Sequence, residues 1–394
     1  MRTGYDHIVI GAGVLGTATA YWLARSGATN ILVLEQFELG HDKGASEDHS
    51  RVIRHVYDDP IYTALTHTMF DHWSDLEYET GLKLVTKTGG LSLVPAGSPG
   101  QSEVDDCKLA MAQAHIPYEE LDAAEIRRRW PQWTIDDDVT GLFQVDGGIL
   151  DIRTACAAQI ARARARGVEF LPNTTVSELD SAGDRVTVTT DRGTFTAGNV
   201  VVCTASWTER LLPSLGLGWH MTLTQEQVSY FATPHLRDFA PDRFPQWSWF
   251  GGPERLYYGM PIYGEVAVKV SRDMSGRFIS SDERSYTPLP EETELYRTFL
   301  RTHLPDAVGP ELVSKTCVYD LPPDGNFILD RVPGHPRITI GIGAGHAAKF
   351  GNLLGHILSD ITLHGATSFP VEPFRADRLA LTDPSYIPKF RHSN

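Results

Sequence analysis

Three features of the sequence predict an α/β protein. A short β-branched strand, a glycine-rich turn, a helix and a second strand follow one another between Asp6 and Glu35. An alanine-rich helical stretch from Thr154 to Arg166 is followed by a sheet-like alternation from Val186 to Val202. The length, 394 residues, suits two or three domains, or one large unit with an insertion.

The first segment carries the most chemistry. His7-Ile8-Val9-Ile10 reads as a buried strand, and Gly11-Ala12-Gly13-Val14-Leu15-Gly16 follows it. A helix from Thr17 to Ser26 ends at Gly27, and a second strand, Ile31 to Leu34, leads into Glu35. Gly11 permits the tight turn, Gly13 lets backbone approach a pyrophosphate, and Gly16 lets helix pack on strand. The helix N-terminus offers free N–H groups and a positive dipole to phosphates. Glu35, 24 residues after Gly11, is placed to accept hydrogen bonds from ribose hydroxyls. Together these parts predict a Rossmann-like dinucleotide site. They do not choose between NAD and FAD; the position at the extreme N-terminus favours FAD. Glu35 disfavours NADP, whose 2′-phosphate it would repel.

Composition narrows the function classes. Hydrophobic residues make up 41% and charged residues 22%, which excludes disorder, collagen and a coiled coil. No apolar run reaches the roughly 18 residues of a spanning helix. A net charge of −15 disfavours nucleic acid as a partner. Cys107, Cys156, Cys203 and Cys317 lie far apart, with no CxxC pair, which argues against zinc or a disulfide framework. Polar residues lead straight into the first strand, so no signal peptide is expected and the cytoplasm is the predicted compartment. Thr222 to Phe231 and Leu256 to Val270 read as strands of a further sheet.

The loop Gly44-Ala45-Ser46-Glu47-Asp48-His49-Ser50-Arg51-Val52-Ile53-Arg54-His55 resembles the flavin-contacting loop of the monomeric sarcosine oxidase and N-methyltryptophan oxidase family, within the D-amino-acid-oxidase-like flavoproteins. Other segments are similar in the same order: Gly147 to Asp151, Val200 to Trp207, Lys315 to Tyr319 and Gly343 to Phe350. The resemblance spans nearly the whole chain. It implies an FAD-binding domain from residues 1–90, 148–218 and 325–394, interleaved with a mixed-sheet substrate domain from 91–147 and 219–324. It also implies FAD as cofactor, an amino acid and oxygen as reactants, and a monomer.

The resemblance further assigns roles. Gly11, Gly13, Gly16, Glu35, Ser46, Ser50, Arg51, Val176, Gly343, Gly345, His346 and Lys349 would contact FAD, and Cys317 would be bonded covalently to the flavin. Its thiolate would be the reactive form, with Lys315 or Arg51 stabilising it. Arg54 and Lys349 would hold a substrate carboxylate; the planar fork of arginine suits that group. A lysine in a stretch as apolar as Gly345 to Phe350 is costly if buried without an anion. Lys269, by default an exposed strand lysine, would by resemblance hold a water against the flavin and promote reaction with oxygen. Tyr258 and Tyr319 match pocket aromatics. Asp273 stands where sarcosine oxidases carry a pocket histidine; it would change the pocket charge, or simply pair with Arg272. The aromatic run Phe244 to Phe250 either walls a pocket or belongs to the core.

The implied activity is FAD-dependent oxidation of a secondary, N-methylated or cyclic imino amino acid to an imine, with hydrogen peroxide. The alternatives are a flavin dehydrogenase that passes electrons to a carrier, a non-catalytic flavoprotein metabolite sensor, and an NAD-dependent dehydrogenase.

Overall fold

The computed structural model describes residues 2–251 and 256–389. It is a mixed α/β structure in which, among the described residues, an eight-stranded, a nine-stranded and a three-stranded sheet meet around one cavity system.

The eight-stranded sheet begins with β1 (Gly4–Ile10), which pairs in parallel with β2 (Ile31–Leu34) on one side and with Gly193–Val202 on the other. Ile31–Leu34 and the ends Ile8–Ile10 and Val200–Val202 are apolar runs because helices cover the sheet there. The α1 helix (Val14–Arg25) is buried nearly all round, lying between this sheet and the helix Gly351–His364. It starts three residues earlier than its apolar spacing suggests, so Gly16 sits within its first turn. A Cβ there would lie 1.9 Å from the Gly11 carbonyl oxygen, so this close approach requires glycine. The helix expected over 154–166 runs from Ile152 to Arg164 and is capped by Asp151, whose side chain accepts from the Thr154 N–H.

In the nine-stranded sheet, Thr222–Phe231 forms the predicted strand residue for residue. It pairs antiparallel with Val268–Arg272 and Glu311–Leu321. Polar residues inside it are buried but satisfied: Gln227 receives the Leu289 N–H and donates to Thr293. The stretch Leu256 to Val270 is two strands rather than one. Tyr257–Met260 folds back on Val268–Arg272, pairing Met260 with Lys269. Gln246–Trp249 continues this sheet, and its Trp247 and Trp249 pack with Trp133 and Phe299. The aromatic run is therefore core rather than pocket wall; of its residues only Ser248 reaches the cavity.

The three-stranded sheet joins β3 (Arg51–Ile53) to Gly148–Leu150 and Val85–Lys87. It ends the loop 44–50 on a buried strand and so fixes where Arg51 and Arg54 emerge. No helix among the described residues is long and apolar enough to cross a membrane.

Candidate active site

Two cavities adjoin. The first, of about 420 Å³, is lined by Gly11, Gly13, Glu35, Ser46, Val176 and Trp207 among others. Gly11 has φ +98°, and a Cβ there would sit 2.3 Å from the Cys203 carbonyl oxygen, so the turn requires glycine. The N-cap position of α1 is Gly13, which brings no side chain; Ser46 supplies the missing acceptor by taking the Val14 N–H at 2.9 Å. Glu35 accepts from the Ala12 and Phe37 N–H groups at 2.8 and 3.0 Å, and His41 Nε2 lies 3.3 Å away. A buried helix N-terminus, an open glycine turn and a fixed carboxylate form a cradle that fits the pyrophosphate and ribose of FAD. Gly16 supports this cradle by packing without lining it.

The second cavity, of about 340 Å³, shares Gly13, Ala45, Ser46, Glu47, Cys203 and Ala205 with the first, so the two lie side by side. Its lining brings together the remaining candidates: Ser50, Arg51 and Arg54 from the loop and β3, Tyr258, Lys269 and Asp273 from the hairpin, Cys317 and Tyr319 from Glu311–Leu321, and Gly343, Gly345, His346 and Lys349 from the late loop.

Arg54 donates from Nη1 to Ser248 Oγ at 3.4 Å, while its buried Nε has no partner among the described residues. Lys349, 9% exposed, donates among the described residues only to the His346 carbonyl, at 3.1 Å. Both cations lie over the ring of Tyr57, 5.4 and 5.5 Å from its centroid. The Tyr57 hydroxyl is buried and also unpartnered among the described residues. Burial pushes the Lys349 amine down to about 7, with Arg54 adding to the effect and Asp273 opposing it. Asp273 accepts from the Tyr319 hydroxyl at 3.2 Å and does not pair with Arg272, which is bound to Glu292.

Lys269 is not an exposed strand lysine. It is 2% exposed, and its amine donates to Asp48 Oδ2 at 2.6 Å, the Ser50 carbonyl at 2.9 Å and Ser50 Oγ at 3.2 Å. An ammonium group has three donors, and all three are engaged. The amine presents a charge whose donors are taken up by Asp48 and Ser50.

Cys317 lines the cavity as a protonated thiol. Burial pushes it up to about 12 even though Arg51 and Lys269 favour the thiolate. Lys315 does not serve it; that amine is turned to Asp48 at 3.2 Å and Glu265 at 3.6 Å. Arg51 donates to the Ser50, Ala45 and Glu47 carbonyls and so ties the loop together.

Sequence reasoning missed Asp48 and Tyr57. Both lie in or beside the quoted loop, but a loop carboxylate or aromatic shows no local sign of the cations it will meet.

The family of proteins described as FAD dependent oxidoreductase matches residues 6–361. The chain belongs to this family. Relatives extend over nearly the whole chain. Monomeric sarcosine oxidase of Bacillus sp. (strain B-0618) is 31% identical over 387 residues, covering 97% of this chain and 98% of that protein. N-methyl-L-tryptophan oxidase of Citrobacter koseri is 30% identical, covering 95% and 99%. Among solved structures, NikD, an unusual amino acid oxidase essential for nikkomycin biosynthesis, superposes with a TM-score of 0.85 at 27% identity, covering 95% of this chain and 98% of that one. The protein is thus an FAD-dependent oxidoreductase.

Proposed function

We propose that the protein oxidises a secondary, N-methylated or cyclic imino amino acid to the imine, with oxygen reduced to hydrogen peroxide. One observation carries this reading. The Arg54 Nε and Tyr57 hydroxyl, unpartnered among the described residues, converge with Lys349, which has no ion-pair partner among them, in a cavity that adjoins the FAD cradle. Such a set is built to receive an anion, and a carboxylate satisfies it. The names of the sarcosine and N-methyltryptophan oxidase relatives support an N-substituted amino acid.

Bound FAD supplies the two-electron oxidation. The chain supplies position and charge. Arg54 and Lys349 hold the carboxylate, and Tyr57 keeps the two cations in register beneath it. Tyr258, Tyr319 and Asp273 line the rest of the cavity and displace water from it. Lys269 holds a buried positive charge that stabilises the negative charge developing as oxygen is reduced. The substrate loses two electrons and two protons across its C–N bond, and oxygen gains both. Flavin bleaching without air, tested against a panel of secondary amino acids, decides the reading; no bleaching by any of them would overturn it.

A dehydrogenase passing electrons to a carrier is the second reading. It is favoured by the complete engagement of the Lys269 donors, and the yield of peroxide under air separates the two. The proposal includes a covalent bond from Cys317 to the flavin: the denatured chain should carry the added mass, and Cys317→Ser should lose it. It also includes a cytoplasmic monomer. We assign residues 1–90, 148–218 and 325–394 to the FAD domain and 91–147 and 219–324 to the substrate domain, setting aside Met1, 252–255 and 390–394, which lie outside the described residues. The eight- and nine-stranded sheets support this division, drawing on those two sets of segments with only Gly90 at the border.

A further inference from the structure

Among the described residues Asp48 is a carboxylate with four side-chain partners, and nothing in the proposed chemistry calls for it. It is 2% exposed and held at φ +78°, a left-handed conformation that strains a residue with a Cβ. Its Oδ2 accepts from Lys269 at 2.6 Å and its Oδ1 from Lys315 at 3.2 Å. The Tyr230 hydroxyl lies 2.7 Å from both oxygens, and Arg51 Nη1 lies 3.7 Å from Oδ2. One carboxylate from the flavin-side loop therefore gathers cations from the loop's own end, from Val268–Arg272 and from Glu311–Leu321. The titratable groups facing Lys269 are Asp48, Glu47 and Arg51 on the loop, Tyr230 on Thr222–Phe231, Cys317 and Lys315 on Glu311–Leu321, and Tyr258 on the adjacent strand. Among these, Asp48 alone is a carboxylate bonded to the amine.

We propose that Asp48 is a positioning residue that keeps Lys269 protonated and aimed at the cavity, so that the loop which touches the flavin also sets the charge beside it. The ion pair and the two Ser50 contacts fix the direction of the amine; the carboxylate supplies the counter-charge without which a lysine so enclosed sheds its proton. Burial favours neutral Lys269 and Asp48 opposes it. Burial likewise opposes ionisation of Asp48, yet Lys269, Arg51 and Lys315 hold its carboxyl far below the usual range; for Lys269 burial outweighs its partners and the pKa is lowered, with Asp48 the strongest influence against that fall.

The test uses holoprotein labelled with ¹³C at lysine Cε, with the Lys269 resonance identified from Lys269→Met. In Asp48→Asn this resonance should titrate about two pH units or more below its position in the parent, and Asp48→Glu should restore much of the difference. Tyr230→Phe, which removes a hydrogen bond to Asp48 but leaves the ion pair, should leave the titration in place. Unchanged titration in Asp48→Asn would overturn the proposal, as would an equal shift in Tyr230→Phe, which would trace the effect to packing. If Asp48→Asn does not fold, Asp48→Glu is read alone, and loss of the charged amine despite the retained carboxylate overturns the proposal. A second readout is reoxidation by air of holoprotein reduced with dithionite. In Asp48→Asn its rate should fall about tenfold per pH unit above the Lys269 pKa, and that fall should begin at lower pH than in the parent. The inference rests on the proposed function for the importance of that charge, but dithionite removes the substrate from the test. Failure of every amino acid to bleach the flavin would therefore sink the substrate reading and leave this result standing.

Discussion

Lys269 and Lys349 are both buried lysines lining one cavity, and they are built in opposite ways. Lys269 comes from a strand and has its counter-ion supplied by the fold, Asp48 at 2.6 Å. Lys349 comes from the 3₁₀ turn Ala347–Phe350; its one hydrogen bond among the described residues goes to the His346 carbonyl, and Arg54 adds repulsion. A buried cation with a resident anion has that anion to hold its proton against burial. A buried cation beside another cation gives up its proton more easily, and an anion bound between them would hold it.

The largest expected effect separates the two by reaction step. Lys269→Met should slow reoxidation by air about a hundred-fold or more, and anaerobic reduction by substrate far less, because electrostatic stabilisation of developing charge is commonly worth several kcal/mol. Stopped-flow traces of the two half-reactions measure it; equal slowing of both would erase the distinction drawn here. Next in size, Lys349→Ala or Arg54→Ala should weaken binding of a carboxylate ligand roughly ten- to hundred-fold with FAD retained. A decarboxylated analogue should show no such loss; the same loss with that analogue would show that the clamp does not read the carboxylate.

A smaller effect is the pH dependence of that binding. Free Lys349 titrates at about 7, and a bound carboxylate raises that value, so binding takes up a proton above it. Affinity should be steady at lower pH and fall by up to about tenfold per pH unit above about 7. Lys349→Arg should flatten the profile, since arginine stays charged. The smallest effect is on stability without ligand. The folded Lys349 pKa lies below its unfolded value, so between about 7 and 10.5 the unfolded chain binds more protons and stability should rise with pH. The slope from this one group is at most about 1.4 kcal/mol per pH unit, and denaturant melts of the parent and Lys349→Met, which removes it, would measure it.

The sequence by itself determined what depends on neighbours along the chain. Strand Ile31–Leu34, strand Thr222–Phe231, the glycine turn and Glu35 all lie where the local pattern places them, because apolar period, turn geometry and helix entry are set within a few residues. Cys317, Arg54 and Lys349 were marked by the family resemblance of their segments rather than by local pattern. Tertiary structure decided which charges meet. Asp48 finds Lys269 221 residues away and Lys315 267 away, a meeting fixed by sheet register: Tyr230 lies opposite Lys269, and Val228, two residues earlier on the same face, opposite Lys315. A shift of one residue in either pairing would turn those lysines to the other face. It also decided that Trp247 and Trp249 fill the core, since Trp133 and Phe299 close over them from distant segments. The default reading of Lys269 as exposed failed for this reason: a strand's alternation tells which residues share a face, but the chain that packs against that face decides whether it meets water or a carboxylate.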